Sequence, residues 1–409
     1  PSWLRLFVTS REEVRPTGGS ECKHACTEAR VRLNVLAAGH QERAEELMWH
    51  GLILAVVGPI ILLIAFLISG KFFLSLLGGT GEILDLAFAY SAMLFGGSVT
   101  IWMMGVASSI FRGLGDMRYP ARMMIVASLI QVPFSGALIL GYFGAPKLGL
   151  FGAAVSVIAT SAVMAIVILM RLVKAKLPAN LRLSRLKLQA HHFKDIGRVA
   201  LPASLSPIST VTTILVLTGL VGQFGEEALA GYGIGSRIEF LMSSLIFGIG
   251  ATMTSLVGMS IGAKNADRAE EIGWTGAGMS FILGGVIGTL LAVFPHVWIP
   301  IFTDDPMVYK TAKGFIQIVG PCLAIHGVGW ALYFASQGAG AMRGPVAALI
   351  ARPLVAIGLA FFLLGPMDMG MTGVFIGAVG GMFAYSAIVT ASMKGGAWRR
   401  QVPVSTGQV

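Results

Sequence analysis

The sequence predicts an all-α polytopic membrane protein built from two pseudo-symmetric helical bundles. Three observations support this fold class. Only 12% of the 409 residues are charged, whereas soluble domains carry roughly 25%. Apolar stretches of about 20 residues, each long enough to cross a bilayer as a helix, recur along the chain. Finally, a set of short motifs occurs twice, in the same order and at the same spacing.

The duplicated motifs define the organisation of the chain. The box Arg43-Ala44-Glu45-Glu46 recurs 225 residues later as Arg268-Ala269-Glu270-Glu271. A second motif has the pattern Gly-x-Gly-x-x-Arg-x-Pro, and its two copies, at the same offset, are Gly113, Gly115, Arg118 and Pro120, and Gly338, Gly340, Arg343 and Pro345. A duplicated bundle is the usual construction of a secondary transporter, with the substrate handled between the halves.

We predict ten membrane spans from the apolar runs. They cover residues 50–70, 88–110, 121–143, 150–172, 199–222, 233–261, 273–299, 313–336, 345–365 and 371–393. The corresponding domains are a polar leader (1–47), a four-span lobe (48–172), a basic connector (173–198), a six-span lobe (199–394) and a tail (395–409).

The distribution of the charges predicts the orientation in the membrane. The connector holds seven Lys and Arg residues, with Arg171 just before it. Alternate loops counted from the connector are basic, while the intervening loops carry mostly acids. Because basic loops remain in the cytoplasm, we expect both termini to be cytoplasmic and the protein to lie in a bacterial inner membrane. The net charge of +10 does not indicate a nucleic-acid partner, because no soluble domain carries it.

The duplication also predicts that something precedes the first lobe in a parent protein. Two spans come before the second Arg-Ala-Glu-Glu box, but only 42 residues without a membrane-length apolar run come before the first. Symmetry therefore predicts a parent of six plus six helices, with the first two absent here through a deletion, a frame shift or a mis-assigned start. The alternative is a genuine cytoplasmic extension on a four-plus-six protein.

We expect the repeated motifs to have structural roles. Glycine permits positive φ at a helix end, and proline suits the first turn of the next helix. The Gly-x-Gly-x-x-Arg-x-Pro pattern therefore predicts a helical hairpin and not a phosphate-binding loop, and the Arg-Ala-Glu-Glu box is expected to cap an interfacial turn. The leader's Cys22, His24 and Cys26 lack a fourth ligand at a standard spacing, so we expect no metal site.

Three segments carry a family resemblance. Phe111–Pro120, Gly231–Glu239 and Ile261–Glu271 resemble the multidrug and toxic compound extrusion (MATE) transporters. The resemblance implies twelve helices in two lobes and export of organic cations and drugs in exchange for protons or sodium ions. It implies a transporter and not an enzyme, without a cofactor. We expect the partners to be the lipid bilayer and small cationic substrates, and the protein to be a monomer.

Ionisable groups inside spans are costly and are therefore functional candidates. Glu239 can bind a proton or a sodium ion, and His326 can exchange a proton near neutral pH. The non-functional alternatives are that groups of neighbouring helices satisfy the Glu239 carboxyl and that His326 is a neutral, buried histidine. The resemblance places Thr210 and His326 where some family members have coupling carboxylates, so Thr210 joins the ion-coupling candidates.

Aromatic and cationic side chains are candidates for the substrate cavity. Trp102, Tyr232 and Trp330 can hold flat cations by cation–π attraction, or they simply pack. Arg352 is a further candidate, although we expect it to snorkel to the inner headgroups. Prolines inside spans (Pro202, Pro207 and Pro353) are expected to free backbone carbonyls for ion contacts.

Two other functions compete with cation-coupled efflux. A lipid-linked oligosaccharide flippase of the related superfamily would need a cationic groove, and the cations inside spans are Arg352 and Arg237. A truncated, non-transporting remnant would leave helix faces and polar groups unpaired in lipid. No Walker-type sequence indicates ATP-driven transport.

Overall fold

The computed structural model describes residues 20–76, 81–114, 116–144, 146–174 and 190–401. The described residues form α-helices joined by short turns and 3-10 segments, and they contain no strand. Nine of the described helices are long and apolar enough to cross a membrane, and one bent helix pair makes a tenth span. The predicted all-α, ten-span fold class is therefore confirmed.

The eleven described helices follow the ten predicted spans in order, with the eighth span divided into two helices. The helices are α1 (Ser20–Leu76), α2 (Gly81–Gly113), α3 (Arg118–Leu140), α4 (Leu150–Lys174), α5 (Ala190–Gly222), α6 (Glu226–Gly262), α7 (Ala266–Val293), α8 (Pro306–Val319), α9 (Leu323–Ala339), α10 (Arg343–Leu364) and α11 (Gly370–Lys394). The polar segment before the first span is helical from Ser20 onward. Most of the basic connector, residues 175–189, lies outside the described residues.

The chain forms two compact units. Residues 1–107 and 153–188 belong to the first unit, and residues 108–152 and 189–409 belong to the second. This division differs from the sequence repeat, since 108–152 belongs to the first copy of the repeat but to the second unit.

Small residues allow close helix packing in the first unit. A Cβ on Gly58 of α1 would lie 3.0 Å from the ring of Trp102 on α2. Gly97 and Thr100 of α2 face Ile158 of α4, and the Thr100 hydroxyl donates a hydrogen bond to the Ile158 carbonyl at 3.3 Å.

Helix α9 is the centre of the second unit, where it packs against α6, α7 and α11. Glycines permit this threefold contact. A Cβ on Gly327 would lie 2.7 Å from the Ser280 carbonyl oxygen of α7, and one on Gly338 would collide with the Thr254 carbonyl of α6. These backbone-to-backbone contacts leave no room for larger side chains.

The span that contains α8 and α9 is bent by 60°. The break falls at Gly320-Pro321-Cys322, where proline supplies no amide hydrogen for a helical bond. The Cys322 and Leu323 amides instead donate to the carbonyls of the third preceding residue, at 3.0 and 3.1 Å. The bend places His326 near the start of α9.

The two Arg-Ala-Glu-Glu boxes lie in different local structures. The second begins α7, where the Asn265 side chain accepts a hydrogen bond from the Arg268 amide at 2.9 Å, after Lys264 at a φ of +59°. The first lies inside the unbroken α1. The expectation that both boxes cap a turn is therefore wrong for the first copy, because the position that corresponds to Asn265 holds His40, which is not a preferred N-cap residue.

The glycine-proline motif forms a helical hairpin in its second copy. Gly340 ends α9 at a φ of +71°, Arg343 is the first residue of α10, and Pro345 lies in its first turn. In the first copy, Gly113 ends α2 and Arg118 begins α3, with Pro120 in the first turn. Gly115 lies outside the described residues.

The prolines inside α5 and α10 free carbonyls that side chains of neighbouring helices then satisfy. Pro353 supplies no amide hydrogen for Leu349, and the Ser209 hydroxyl donates to the Leu349 carbonyl at 2.6 Å. Pro207 likewise frees Ala203, whose carbonyl accepts from the Tyr333 hydroxyl at 3.3 Å. These two carbonyls are already occupied, which corrects the expectation that they serve ions.

Substitution of Gly338 tests the close packing of α9 and α6. We expect Gly338→Ala to lower the free energy of unfolding by about 1–3 kcal/mol, because overpacked cores must shift their backbone. The matched control is Gly113→Ala in the other repeat, where nothing lies within 4 Å of an added Cβ. Thermal unfolding in one detergent measures both variants. Equal losses would contradict the packing explanation.

A pair of substitutions tests the Ser209 hydrogen bond. We expect Ser209→Ala to cost about 1–3 kcal/mol by leaving the Leu349 carbonyl unsatisfied. In a Pro353→Ala background the backbone amide of residue 353 can bond to Leu349, so the same substitution should cost less. The free energy of unfolding is measured for Ser209→Ala in both backgrounds. If the substitution costs the same in both, Ser209 does not compensate for the amide that Pro353 lacks.

Candidate functional site

An ion pair between Glu239 of α6 and Arg352 of α10 forms the candidate site. The Arg352 Nη2 atom and the Glu239 Oε2 atom are 4.0 Å apart, and the side chains are 7% and 24% exposed. At that distance the charges attract each other without a direct hydrogen bond. None of the described residues donates a hydrogen bond to the Glu239 carboxylate, so its oxygens remain free to accept a cation.

The local sequence keeps Arg352 inside the helix bundle. Helix α10 packs closely on α11 through small residues: a Cβ on Gly381 would lie 2.8 Å from the Arg352 carbonyl oxygen and 2.7 Å from the Ala356 side chain. The guanidinium is therefore buried and faces Glu239. This corrects the expectation that Arg352 snorkels to the inner headgroups, because a nearby carboxylate compensates its charge inside the bundle.

Three further polar side chains belong to the surroundings of this pair. His326, Tyr232 and Tyr385 all lie within electrostatic range of Arg352. The His326 ring contacts those of Trp330 and Tyr385, each at 5.8 Å between centroids. The site thus joins α6, α9, α10 and α11.

Several buried polar atoms near α9 have no hydrogen-bond partner among the described residues. They are His326 Nδ1, Ser280 Oγ of α7 and Ser386 Oγ of α11. Buried polar groups are nearly always hydrogen-bonded, and ordered water commonly supplies the missing partner. This part of the second unit is therefore suited to internal water next to the ion pair.

The described side chains do not form a site for a transition metal. Among them, no group of three or more His, Cys, Asp or Glu residues is arranged to hold a metal ion. The side chains of Cys22, His24 and Cys26 lie outside the described residues. The chemistry available at Glu239 is that of one carboxylate, which suits a proton or a monovalent cation.

The other sequence candidates occupy different environments. Tyr232 is 5% exposed and packs against Phe315 and Phe375, with ring centroids 5.2 and 6.4 Å away. It is a core residue, which corrects its expected place in a substrate cavity. Trp330 is half-buried between the His326 and Phe334 rings.

Trp102 and Thr210 are the two remaining sequence candidates. Trp102 belongs to the first unit, where it is 42% exposed and covers Gly58. Thr210 is half-buried on α5, next to the Ser209 that bonds Leu349. No described contact of Thr210 reaches Glu239 or Arg352.

Sequence reasoning missed Tyr385, Ser280 and Ser386. Each lies in an apolar span whose hydroxyl groups resemble those of any membrane helix, so the sequence carried no signal for them. Only the packing of α7 and α11 on α9 brings them near His326.

The comparisons with known proteins identify the family. The family model named MatE matches residues 34–136 and 202–362, which is more than half of the chain. The chain belongs to the MatE family. This confirms the resemblance drawn from the three motifs, all of which lie inside the matched ranges.

Curated relatives of this MatE chain are named as multidrug resistance proteins. "Probable multidrug resistance protein NorM" of Thermotoga maritima is 26% identical over 377 residues, covering 92% of this chain and 81% of the relative. "Probable multidrug resistance protein YoeA" of Bacillus subtilis is 25% identical over 331 residues, covering 80% and 70%. A Shewanella oneidensis relative named "FAD transporter" is 23% identical over 305 residues, covering 74% and 67%.

Solved MATE structures share the fold. An outward-facing MATE family transporter of the MOP superfamily has a TM-score of 0.80 and 23% identity, covering 89% of this chain and 81% of the other. A crystal structure of MATE in complex with MaL6 gives a TM-score of 0.80 over 89% and 82%. The chain is therefore an integral membrane protein of a multidrug efflux transporter family.

A double-mutant cycle tests the Glu239–Arg352 pair. We expect Glu239→Gln and Arg352→Met each to destabilise the protein, because each leaves one charge without its partner. The double variant should be more stable than the sum of the single effects, by a coupling energy of about 0.5–3 kcal/mol. Thermal unfolding in detergent measures all four proteins.

The control for this cycle uses the neighbouring Arg237. Its guanidinium lies over the Phe302 ring, 4.8 Å from the centroid, and not at the carboxylate. Arg237→Met combined with Glu239→Gln should therefore give additive effects. Additivity in the Arg352 cycle as well would mean that the pair contributes nothing.

Proposed function

We propose that this MatE protein exports organic cations by alternating access, in exchange for protons or sodium ions that bind Glu239. The ion pair between Glu239 and Arg352 inside the spans is the observation that carries the proposal. A carboxylate held inside a membrane protein is costly and typically marks an ion pathway.

The geometry of the pair links ion binding to helix position. An ion on Glu239 of α6 neutralises the carboxylate and leaves the Arg352 charge of α10 without its partner. Helix α6 packs mainly on α7, α8 and α9 and to a smaller extent on α5, whereas α10 packs on α5 and α11. Ion occupancy therefore changes the attraction between two sets of helices, and a ligand that distinguishes two states shifts the population between them.

The proposed coupling site faces a defined set of charged and titratable groups. Arg352 of α10 lies 4.0 Å from Glu239, and Tyr232 of α6, His326 of α9 and Tyr385 of α11 lie within electrostatic range of one member of the pair. Arg352 is the fixed positive charge among them. The arrangement favours one monovalent ion at a time, since a divalent ion would meet one carboxylate and a buried guanidinium.

The substrate class follows from the family and from the site. Relatives are named as multidrug resistance proteins, and a relative named as an FAD transporter raises a second, anionic class. We propose organic cations, because Arg352, the one buried arginine among the described residues, is already compensated by Glu239 and offers little to an anion. Because Glu239 compensates the charge of Arg352, the pair does not provide the cationic groove that a flippase for lipid-linked oligosaccharides would need.

We also propose that the protein lies in a bacterial inner membrane with its basic loops in the cytoplasm. The start of α7 with Lys264 and Arg268, the start of α10 with Arg343 and the end of α11 with Lys394 are basic. The loops on the other side carry acids: Glu226 begins α6, Asp304 and Asp305 precede α8, and Asp368 lies between α10 and α11. Positive charges remain on the cytoplasmic side of membrane proteins.

Transport by the full chain in proteoliposomes tests the function. A proton gradient or a sodium gradient should drive the transport of a fluorescent organic cation such as ethidium in the direction opposite to the ion. An ionophore that collapses the gradient should stop this transport. We expect Glu239→Gln to lower the gradient-driven rate about tenfold, the factor that a loss of about 1.4 kcal/mol produces.

The matched control is Glu226→Gln, an exposed acid at the start of the same helix, which should transport normally. If the rate of ethidium movement depends on neither the proton gradient nor the sodium gradient, the proposed antiport mechanism is overturned. Gradient-driven movement of FAD in place of ethidium would overturn the cationic substrate class. Full coupled activity in Glu239→Gln would overturn the assignment of Glu239.

A further inference from the structure

We propose that the cavity beside the second glycine-proline motif binds the phosphate headgroup of an anionic lipid from the cytoplasmic leaflet. This site is separate from Glu239 and does not depend on which solute the protein exports. The cavity has a volume of 730 Å³, which lies within the range of about 300–1,000 Å³ that is typical of ligand sites. Its lining is Pro202, Gly340–Gly344, Val346, Ser392, Ala397 and Arg400.

The charges of this cavity are all positive. Arg343 and Arg400 line it, and none of the described lining residues is acidic. Two guanidiniums that share a cavity without a carboxylate favour an anion, and guanidinium groups suit the geometry of phosphate. The lining also includes Ser392, whose hydroxyl can donate a hydrogen bond.

Arg400 is held at the cavity by its neighbours. Trp398 is fully buried, and its ring nitrogen donates to the Ser336 hydroxyl at 3.1 Å. Arg399 bonds Glu270 at 2.7 Å and Asp267 at 2.8 Å, so the nearby acids are already engaged. Hydrogen bonding with Glu270 raises the pKa of Arg399 above its usual value. Arg400 follows Arg399 in the chain, and within the described part of the chain its guanidinium bonds the Gly395 carbonyl.

The repeat supplies an independent indication that an anion belongs here. In the first copy, the Asp116 carboxylate accepts a hydrogen bond from the Tyr119 amide at 3.1 Å, at the start of α3. The corresponding residues 225 positions later are Ala341 and Gly344. The second copy has therefore replaced the carboxylate by a methyl group, and α10 begins without a side-chain cap.

The start of α10 adds to the attraction for an anion. The first amides of a helix lack intrahelical partners and carry partial positive charge. Gly344 lets Ser392 approach the start of α10 closely, because a Cβ at this position would collide with the Ser392 side chain. The arginines, the amides and the missing carboxylate all point to one anionic occupant.

The position in the membrane identifies that occupant as a lipid. The cavity is lined by residues near the starts of the α5 and α10 spans and near the end of the α11 span. These ends share the basic face, where headgroup phosphates lie. Basic pockets between membrane helices at this level bind anionic headgroups. The second Gly-x-Gly-x-x-Arg-x-Pro turn therefore binds a lipid headgroup in addition to forming the hairpin that its sequence predicts.

Lipid binding by the purified full chain tests this proposal. Native mass spectrometry and thermal unfolding are measured with phosphatidylglycerol, with zwitterionic phosphatidylcholine and with inorganic phosphate. We expect phosphatidylglycerol to bind and to stabilise the protein most. The Arg343→Gln/Arg400→Gln variant should bind it about 25-fold more weakly, since each basic residue near an anionic surface contributes about fivefold.

Two further variants test whether lipid binding is specific to this cavity. Arg118→Gln, the equivalent arginine of the first repeat, is the matched control and should bind phosphatidylglycerol as the wild type does. Ala341→Asp restores the carboxylate of the first copy and should weaken lipid binding by competing for the site. Unchanged phosphatidylglycerol binding in the double arginine variant would overturn the site. Equal protection by inorganic phosphate alone would overturn the lipid as its occupant.

Discussion

The structure depends on the rule that backbone polar groups in lipid must find their partners inside the protein. Each proline within a span breaks this rule by freeing one carbonyl. Ser209 and Tyr333 restore it by bonding the Leu349 and Ala203 carbonyls. These hydroxyls connect α5 with α10 and α9 with α5, so the bonds that compensate the prolines also fix the helices that carry the candidate site.

Close contacts at glycines hold the helices of the second unit together. Helix α9 lies among α6, α7 and α11 because Gly327 and Gly338 let backbones touch. The bend at Gly320-Pro321-Cys322 then turns His326 toward Tyr385 and the charge of Arg352. A polar cluster inside a membrane protein thus rests on residues that are themselves apolar or lack a side chain.

The two repeats have kept the helical scaffold and diverged at their polar positions. The residues that correspond to His326 and Arg352 in the first copy are Ile101 and Ala127, which are apolar. The ion pair is therefore a feature of the second lobe alone. The cap at the second motif shows the opposite change, because Asp116 of the first copy corresponds to Ala341. Divergence of this kind separates functional chemistry from the shared hairpin framework.

The sequence by itself determined the fold class, the ten spans, the duplication and the family, because hydrophobic length, glycine and proline positions and repeated motifs are local signals. It also singled out Glu239, His326 and Arg352, since an ionisable group inside an apolar run is visible without a structure. It could not show that Arg352 faces Glu239 or that Tyr232 is a core residue. Those outcomes depend on helix rotation and on contacts between residues more than a hundred positions apart, and only tertiary packing decides them.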